Sequence, residues 1–277
     1  MNSERFSTSP FLQARLETDF VEESPFYTKS KLMEDIYNKV KSISGVDKHV
    51  VLIGEIGSGK KRFAKIIHAH SRRSGFPFYS FYCVDINEAT FREAFWEHIY
   101  FEGEHIHLRY DVLEKASGGS LFLDQFSELS PQFMVNMLNS YSRGVQHLFR
   151  YNPDSSPRVI LSISQVAFRN LSRSELWTSL LDSLDPVCIM LPPLRERRED
   201  IPDLVEQFLA EARSSDPEWK DLKIDPSAIE ECLMYEWPGN VRQLKNAILH
   251  GAILSHGKVI EERHLPFSMK WKLPYNL

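Results

Sequence analysis

Short, mainly apolar runs alternate along the chain with stretches in which apolar residues recur every three or four positions. The runs "HVVLIGE", "FYSFYCVD", "SLFLD", "RVILSIS" and "VCIML" carry no polar face. That pattern predicts strands buried on both sides. Between them, "KSKLMEDIYNKVKSIS" spaces Leu32, Ile36, Val40 and Ile43 on one helical face behind Ser30, a capping residue type. "GSGKKRFAKIIHAHS" does the same with Phe63, Ile66 and Ile67. Further helices are predicted from about Glu88 to Ile99, from Pro131 to Tyr141 and from about Ser174 to Leu184. Strands alternating with helices predict a parallel α/β sheet covered on both faces, with ligands at the carboxyl ends of its strands.

After "LPPLRERRED" the strand pattern stops. "EDIPDLVEQFLAEARSS" places Ile201, Leu204, Val205, Phe208 and Leu209 on one stripe. Two more helical segments follow, with Asp225 and Asn240 as their expected starts. The organisation expected is an N-terminal arm over 1–25, an α/β domain over 26–196, and a small helical domain with a C-terminal tail over 197–277. The arm, polar and without a period, is expected to be extended or loosely attached.

Length and composition add little to this picture, but they do close off some classes. At 277 residues and 42% hydrophobic, the chain can bury a core, and its net charge of −5 gives no general attraction to nucleic acid. Cys83, Cys188 and Cys232 stand far apart in apolar surroundings, which fits inert thiols in a reducing cytoplasm and not a disulfide or thiolate–zinc framework. No window approaches a membrane span and no signal peptide is evident, so a soluble cytoplasmic protein without membrane contact is expected.

Chemistry enters at "GEIGSGK", Gly54 to Lys60, which fits G-x-x-x-x-G-K between a predicted strand and a predicted helix. Glycines let backbone N–H groups converge on phosphate oxygens, the helix start adds partial positive charge, and a lysine reaches the terminal phosphates. The candidate loop comprises Gly54, Glu55, Ile56, Gly57, Ser58, Gly59 and Lys60. Lys61 stands where a Ser or Thr would offer a hydroxyl to Mg²⁺, and an ammonium there cannot ligate a cation. "SLFLD" ends in Asp124, which is placed to hold Mg²⁺ directly or through water.

With the loop, "ASGGSLFLDQFSEL", "LPPLRERREDIPDLVEQFL" and "YEWPGNVRQLKNAI", the sequence resembles the AAA+ ATPase domain of bacterial enhancer-binding proteins, the sigma-54 factor interaction domain, over about residues 22 to 268. The resemblance implies an α/β nucleotide domain, a helical lid, and ATP or ADP with Mg²⁺ bound at a subunit boundary, the partners being copies of itself or related AAA+ subunits. Arg242 falls on the lid arginine that senses phosphates, and Ser164 on the γ-phosphate sensor, commonly Asn. Gln125 stands where the family has the glutamate that activates water. An amide can hold a water but cannot take its proton, and losing a general base costs on the order of 10² to 10⁴ in rate.

Two further departures follow from the same alignment. The arginines that reach into a neighbouring subunit's site fall at Trp177 and Ser183, and a finger of that kind is worth roughly 10³ to 10⁵ in turnover. Arg173 lies nearby as a substitute after a local shift. The sigma-contacting GAFTGA loop is replaced by "YFEGEH", Tyr100 to His105. No DNA-binding helix-turn-helix or receiver domain is expected within this sequence.

Three histidines near that segment, His98, His105 and His107, match no common zinc spacing and are expected to be solvated. His68 to His70 are expected to complement a helix dipole, and Arg72 and Arg73 to be solvated helix-end charges. The expectation is therefore a degenerate AAA+ module that binds nucleotide, hydrolyses it slowly or not at all, and regulates transcription or serves as a scaffold. The alternatives are an active ATPase in a hetero-oligomer with a complete relative, and an interaction protein that has given up nucleotide.

Overall fold

In the computed structural model, residues 16–19, 26–84, 98–102, 105–109 and 111–266 are described. They divide into two units. The first holds Met1–Pro25, Tyr37–Gly54 and Lys60–Met190, and the second holds Phe26–Ile36, Glu55–Gly59 and Leu191–Leu277.

The sheet of the first unit runs β1 (Leu16–Asp19), β3 (Phe78–Tyr82), β6 (Ser120–Asp124), β7 (Arg158–Ile163), β2 (Val50–Ile53) and β8 (Val187–Met190), in that spatial order. The last five strands are parallel, as the unbroken apolar runs predict. Strand β1 adds antiparallel at the edge through Leu16↔Phe81, so this part of the arm is extended, the first of the two alternatives expected, and paired to the sheet. Every residue of β2 and β7 is buried.

Alternate strand residues face opposite layers. On one face Val51, Leu121, Leu123 and Leu161 join a core built with α4 (Pro131–Leu148) and α6 (Glu175–Leu184). On the other face α2 (Lys60–Ala69) covers the sheet, and Phe78 stacks on Phe122 with ring centroids 6.1 Å apart. Ser174 caps α6 by accepting the Trp177 N–H, and the helix spans the region the sequence predicts. Helix α4 runs past the expected end at Tyr141, to Leu148.

Three features of this unit depart from the sequence expectation. Arg73 is not solvated but 4% exposed: its guanidinium binds Asp47 and the Gly119 and Ser156 carbonyls, while Arg72 pairs with Asp47 and Asp154. His68 is fully buried against Ser120 Oγ at 2.9 Å, and burial lowers its pKa to about 4, so it stays neutral and cannot complement a dipole by charge. Of the helix expected from Glu88 to Ile99, residues 88–97 lie outside the described residues, and His98–Glu102 forms a strand, β4. That strand pairs antiparallel with β5 (His105–Arg109), with Glu102 opposite His105, so the described residues of "YFEGEH", Tyr100 to Glu102 and His105, lie on paired strands.

In the second unit, α7 (Ile201–Ser215), α8 (Pro226–Met234) and α9 (Asn240–Leu254) enclose a core centred on Leu209, Trp237, Leu244 and Ile248. The Trp237 indole N–H donates to Cys232 O at 2.7 Å, which satisfies the ring's one polar atom inside the core. A short parallel pair, β9 (Lys223–Ile224) with β10 (Val259–Ile260), closes one side. Asp225 caps α8 through the Ser227 N–H at 2.9 Å, as the sequence predicts. The buried Asp200 carboxylate gathers Thr28 Oγ1 and the N–H groups of Lys29 and Ser30, which anchors the start of α1 (Lys31–Ser44).

Candidate functional site

Strand β2 hands the chain into the glycine-rich loop, and Gly54 N–H continues the ladder by donating to Ile163 O at 3.2 Å. Lys60 opens α2, and its Nζ donates to Gly54 O at 2.7 Å, spanning the loop it is expected to serve. Lys61, at the second position of the helix, is half-buried.

The residues between them, Glu55–Gly59, belong to the second unit and are held within it. Glu55 forms a two-pronged ion pair with Arg195, at 2.7 and 2.9 Å. That hydrogen bonding raises the Arg195 pKa. Asn240, fully buried, donates through Nδ2 to Glu55 Oε2 at 3.1 Å and to Ile56 O at 3.0 Å, and accepts the Leu194 N–H at 2.7 Å. Val241 N–H reaches Gly57 O at 3.1 Å, and Arg197 Nη2 reaches Ser58 O at 2.8 Å.

Asn240 does begin α9, as expected, but at a left-handed φ of 52°, and its amide serves the loop instead of capping the helix. Asparagine is one of the few non-glycine residues that tolerates that region. Gly57, at φ 76°, passes so close to Gly239 and to Arg242 Cβ that no side chain fits. The expected sensor arginine thus starts beside the loop backbone. Ser58 Oγ is buried without a hydrogen-bond partner among the described residues.

At the carboxyl end of β6, Asp124 Oδ1 accepts Ser162 Oγ–H at 2.7 Å and Gln125 N–H at 3.0 Å. Gln125 adopts φ 55°, and its Nε2 donates to the Tyr82 hydroxyl at 3.1 Å. Tyr82 is Asp124's partner in the β3–β6 register, so the two strand ends present the pair side by side. With one amide N–H donated to Tyr82, Oε1 is left as the acceptor of the side chain.

A profile for the Sigma-54 interaction domain matches residues 26–150, and one for the AAA+ ATPase lid domain matches residues 195–274. The chain belongs to the sigma-54 interaction domain family of AAA+ proteins. It is 32% identical over 245 residues to the transcriptional regulatory protein ZraR of Salmonella typhimurium, covering 87% of this chain and 55% of that protein. It is also 32% identical over 244 residues to a Nif-specific regulatory protein of Herbaspirillum seropedicae, covering 85% and 44%. The chain therefore spans about half the length of the curated relatives it matches. Among solved structures, NtrX of Brucella abortus in complex with ATP superimposes with a TM-score of 0.71 at 26% identity, covering 91% of this chain and 59% of that one. The same protein in complex with ADP gives 0.71 at 26% identity, covering 90% and 56%.

Within the sigma-54 interaction domain, the positions expected to carry arginine fingers have other work. Trp177 packs edge-on against Phe168, ring centroids 5.2 Å apart, at the margin of the core. Ser183 is exposed on α6, and Arg173 is exposed in the turn between α5 (Gln165–Leu171) and α6. Ser164 caps α5, its Oγ accepting the Ala167 N–H. The hydroxyl that meets Asp124 belongs to Ser162, a residue the sequence does not single out: a serine inside an apolar strand gives no signal of which carboxylate it will face. Tyr82, Arg195 and Arg197 were equally silent, since their roles depend on contacts distant in sequence.

Proposed function

We propose that this chain is a nucleotide-binding AAA+ regulator of the sigma-54 activator type that holds ATP or ADP and hydrolyses ATP slowly or not at all. One observation carries the reading. The phosphate loop is complete and braced, with Lys60 in place, while the residue beside Asp124 is an amide tied to Tyr82. The NtrX complexes with ATP and ADP support nucleotide as the ligand of this architecture.

Gly54 to Lys60 would cradle the phosphates, with Arg242 as a phosphate sensor from the lid over 197–277. The donor set fits Mg²⁺ in part. Asp124 would hold it through Oδ2, since Oδ1 is taken by Ser162 and Gln125, whereas Lys61 offers no ligand. When bound, the ion would neutralise phosphate charge. Gln125 Oε1 would orient a water without accepting its proton.

Function in transcription regulation or as a nucleotide-dependent scaffold, in the cytoplasm and in assembly with itself or related AAA+ subunits, belongs to the same proposal, as does loss of the GAFTGA contact. Among the described residues no helix is long and apolar enough to cross a membrane. A second reading, an active ATPase completed by a related subunit, is favoured by the exposed Arg173, which is free of the core that holds Trp177.

An ATP titration by calorimetry beside turnover assays of the chain alone and mixed with a complete related subunit separates these readings. Binding with turnover below about one per hundred seconds is expected, against the 1–10³ s⁻¹ typical of enzymes. ATP at about a thousand times its Kd should stabilise the fold by ~4 kcal/mol, and Lys60→Ala should remove that gain. Stabilisation unchanged in Lys60→Ala would point instead to a protein that keeps the loop only as fold.

A further inference from the structure

Three consecutive peptide carbonyls of the loop, those of Ile56, Gly57 and Ser58, accept hydrogen bonds from Asn240 Nδ2, Val241 N–H and Arg197 Nη2. The peptide bonds are trans, so each C=O points opposite to the N–H of the next residue. Drawing these three carbonyls toward the helical unit turns the N–H groups of Gly57, Ser58 and Gly59 the other way. The Ser58 N–H is partly used, at 3.2 Å from Glu55 O. Those of Gly57 and Gly59 are aimed outward.

A row of outward N–H groups is what an anion requires of such a loop. Left to itself, a glycine-rich segment samples many peptide orientations, and Gly57 and Gly59 have the widest freedom of all residues. Glu55 supplies the second grip. Its carboxylate is clamped by Arg195 on one side and shares Asn240 on the other. Asn240 has both donors and one oxygen lone pair engaged: two donations into the loop and one acceptance from Leu194.

We infer that Asn240, Arg195 and Arg197 are positioning residues for phosphate recognition: they hold the peptide planes of 56–59 with N–H groups outward before any ligand arrives. The inference rests on the nucleotide reading for its ligand, but not for the brace itself. Affinity then depends on residues that touch no phosphate, because the cost of ordering the loop is met in the free protein.

Asn240→Gly is the direct test, since glycine accepts the left-handed φ and only the side-chain bonds are lost. Losing two hydrogen bonds into the loop should weaken binding about tenfold to a hundredfold, for ATP and for inorganic tripolyphosphate alike, by calorimetry. In the ligand-free protein, the amides of Ser58 and Val241 should exchange hydrogen about tenfold faster, while those of β2 and β7 keep wild-type protection. Glu55→Gln, which keeps an acceptor for Asn240, should retain most of the affinity that Glu55→Ala loses. If Asn240→Gly does not fold, Arg195→Ala, on a side chain 32% exposed, serves the same purpose.

Wild-type affinity in a folded variant, or weakened affinity with unchanged Ser58 and Val241 exchange, overturns the inference. If the wild-type chain binds neither probe, the nucleotide reading fails. Faster exchange in Asn240→Gly then still establishes the brace, and unchanged exchange removes it.

Discussion

Gly57→Ala is expected to lose nucleotide binding by a factor on the order of 10² or more, while Gly59→Ala loses far less. A Cβ at Gly57 would lie 2.2 Å from Gly239 O and 3.1 Å from Arg242 Cβ, at a backbone φ of 76°. No side-chain rotation relieves a clash with a backbone oxygen, so the loop must move by about 1 Å. Losing two hydrogen bonds to charged phosphate, at about 1.5–3 kcal/mol each, corresponds to a factor on the order of 10² or more in affinity. At Gly59 the φ is 106° but a Cβ meets nothing within 4 Å, so only backbone strain of about 1–3 kcal/mol opposes the change. Parallel ATP titrations, with circular dichroism to confirm folding, decide the matter. Equal losses in the two variants would mean that contact with Gly239 does not set the loop's position.

The second large effect is acid lability that begins well above the carboxylate range. His49 Nδ1 accepts the Val159 N–H at 2.9 Å, which fixes the ring's proton on Nε2, 3.3 Å from the Tyr141 hydroxyl. Burial, assisted by the Arg158 charge, lowers its pKa to about 4, and burial lowers that of His68 to the same value. In the unfolded chain both titrate near 6.5. Their folded pKa is depressed, so the unfolded state binds the extra protons between about 6.5 and 4, and stability is full above that window and falls as the pH drops through it.

For His49 the shift corresponds to about 3 kcal/mol by pH 4. Asp47 adds a loss at still lower pH. Its burial opposes ionisation, yet the Arg73 and Arg72 guanidiniums outweigh that and hold it well below the usual carboxylate range. Urea midpoints at pH 7, 5.5 and 4.5 should fall steadily, and His49→Gln, whose amide can still accept from Val159, should flatten the slope. A midpoint unchanged from pH 7 to 5 would contradict this.

Much of the sheet could be foreseen because its strands are buried on both faces over most of their length and so are mainly apolar. Where a segment takes its structure from neighbours, the residues were mute. The β9–β10 pair has two residues per strand and carries no period, and Leu16–Asp19 becomes a strand only because β3 offers an edge. Helix α5, "QVAFRNL", has no buried residue to mark a face and owes its start to the Ser164 cap.

The site divides along the same line. "GEIGSGK" and the Asp124–Gln125 pair announce themselves by spacing and residue type. Gln125's left-handed backbone and its bond to Tyr82 could not be read, since no residue type but proline fixes φ. Arg73 misled for a comparable reason: a helix-end arginine looks solvated until Asp47 is known to lie across from it.

The place of β2 in the sheet has a consequence for how the loop comes into being. Val50, which begins the strand leading to the phosphate loop, pairs with Ile160 on one side and Val187 on the other, both far downstream. Contacts so distant in sequence carry a large loop-closure cost and form late. During synthesis the glycine loop therefore emerges before either flanking strand, and the pair is complete only once β8 has left the ribosome. A nascent chain halted before Val187 should be blind to ATP.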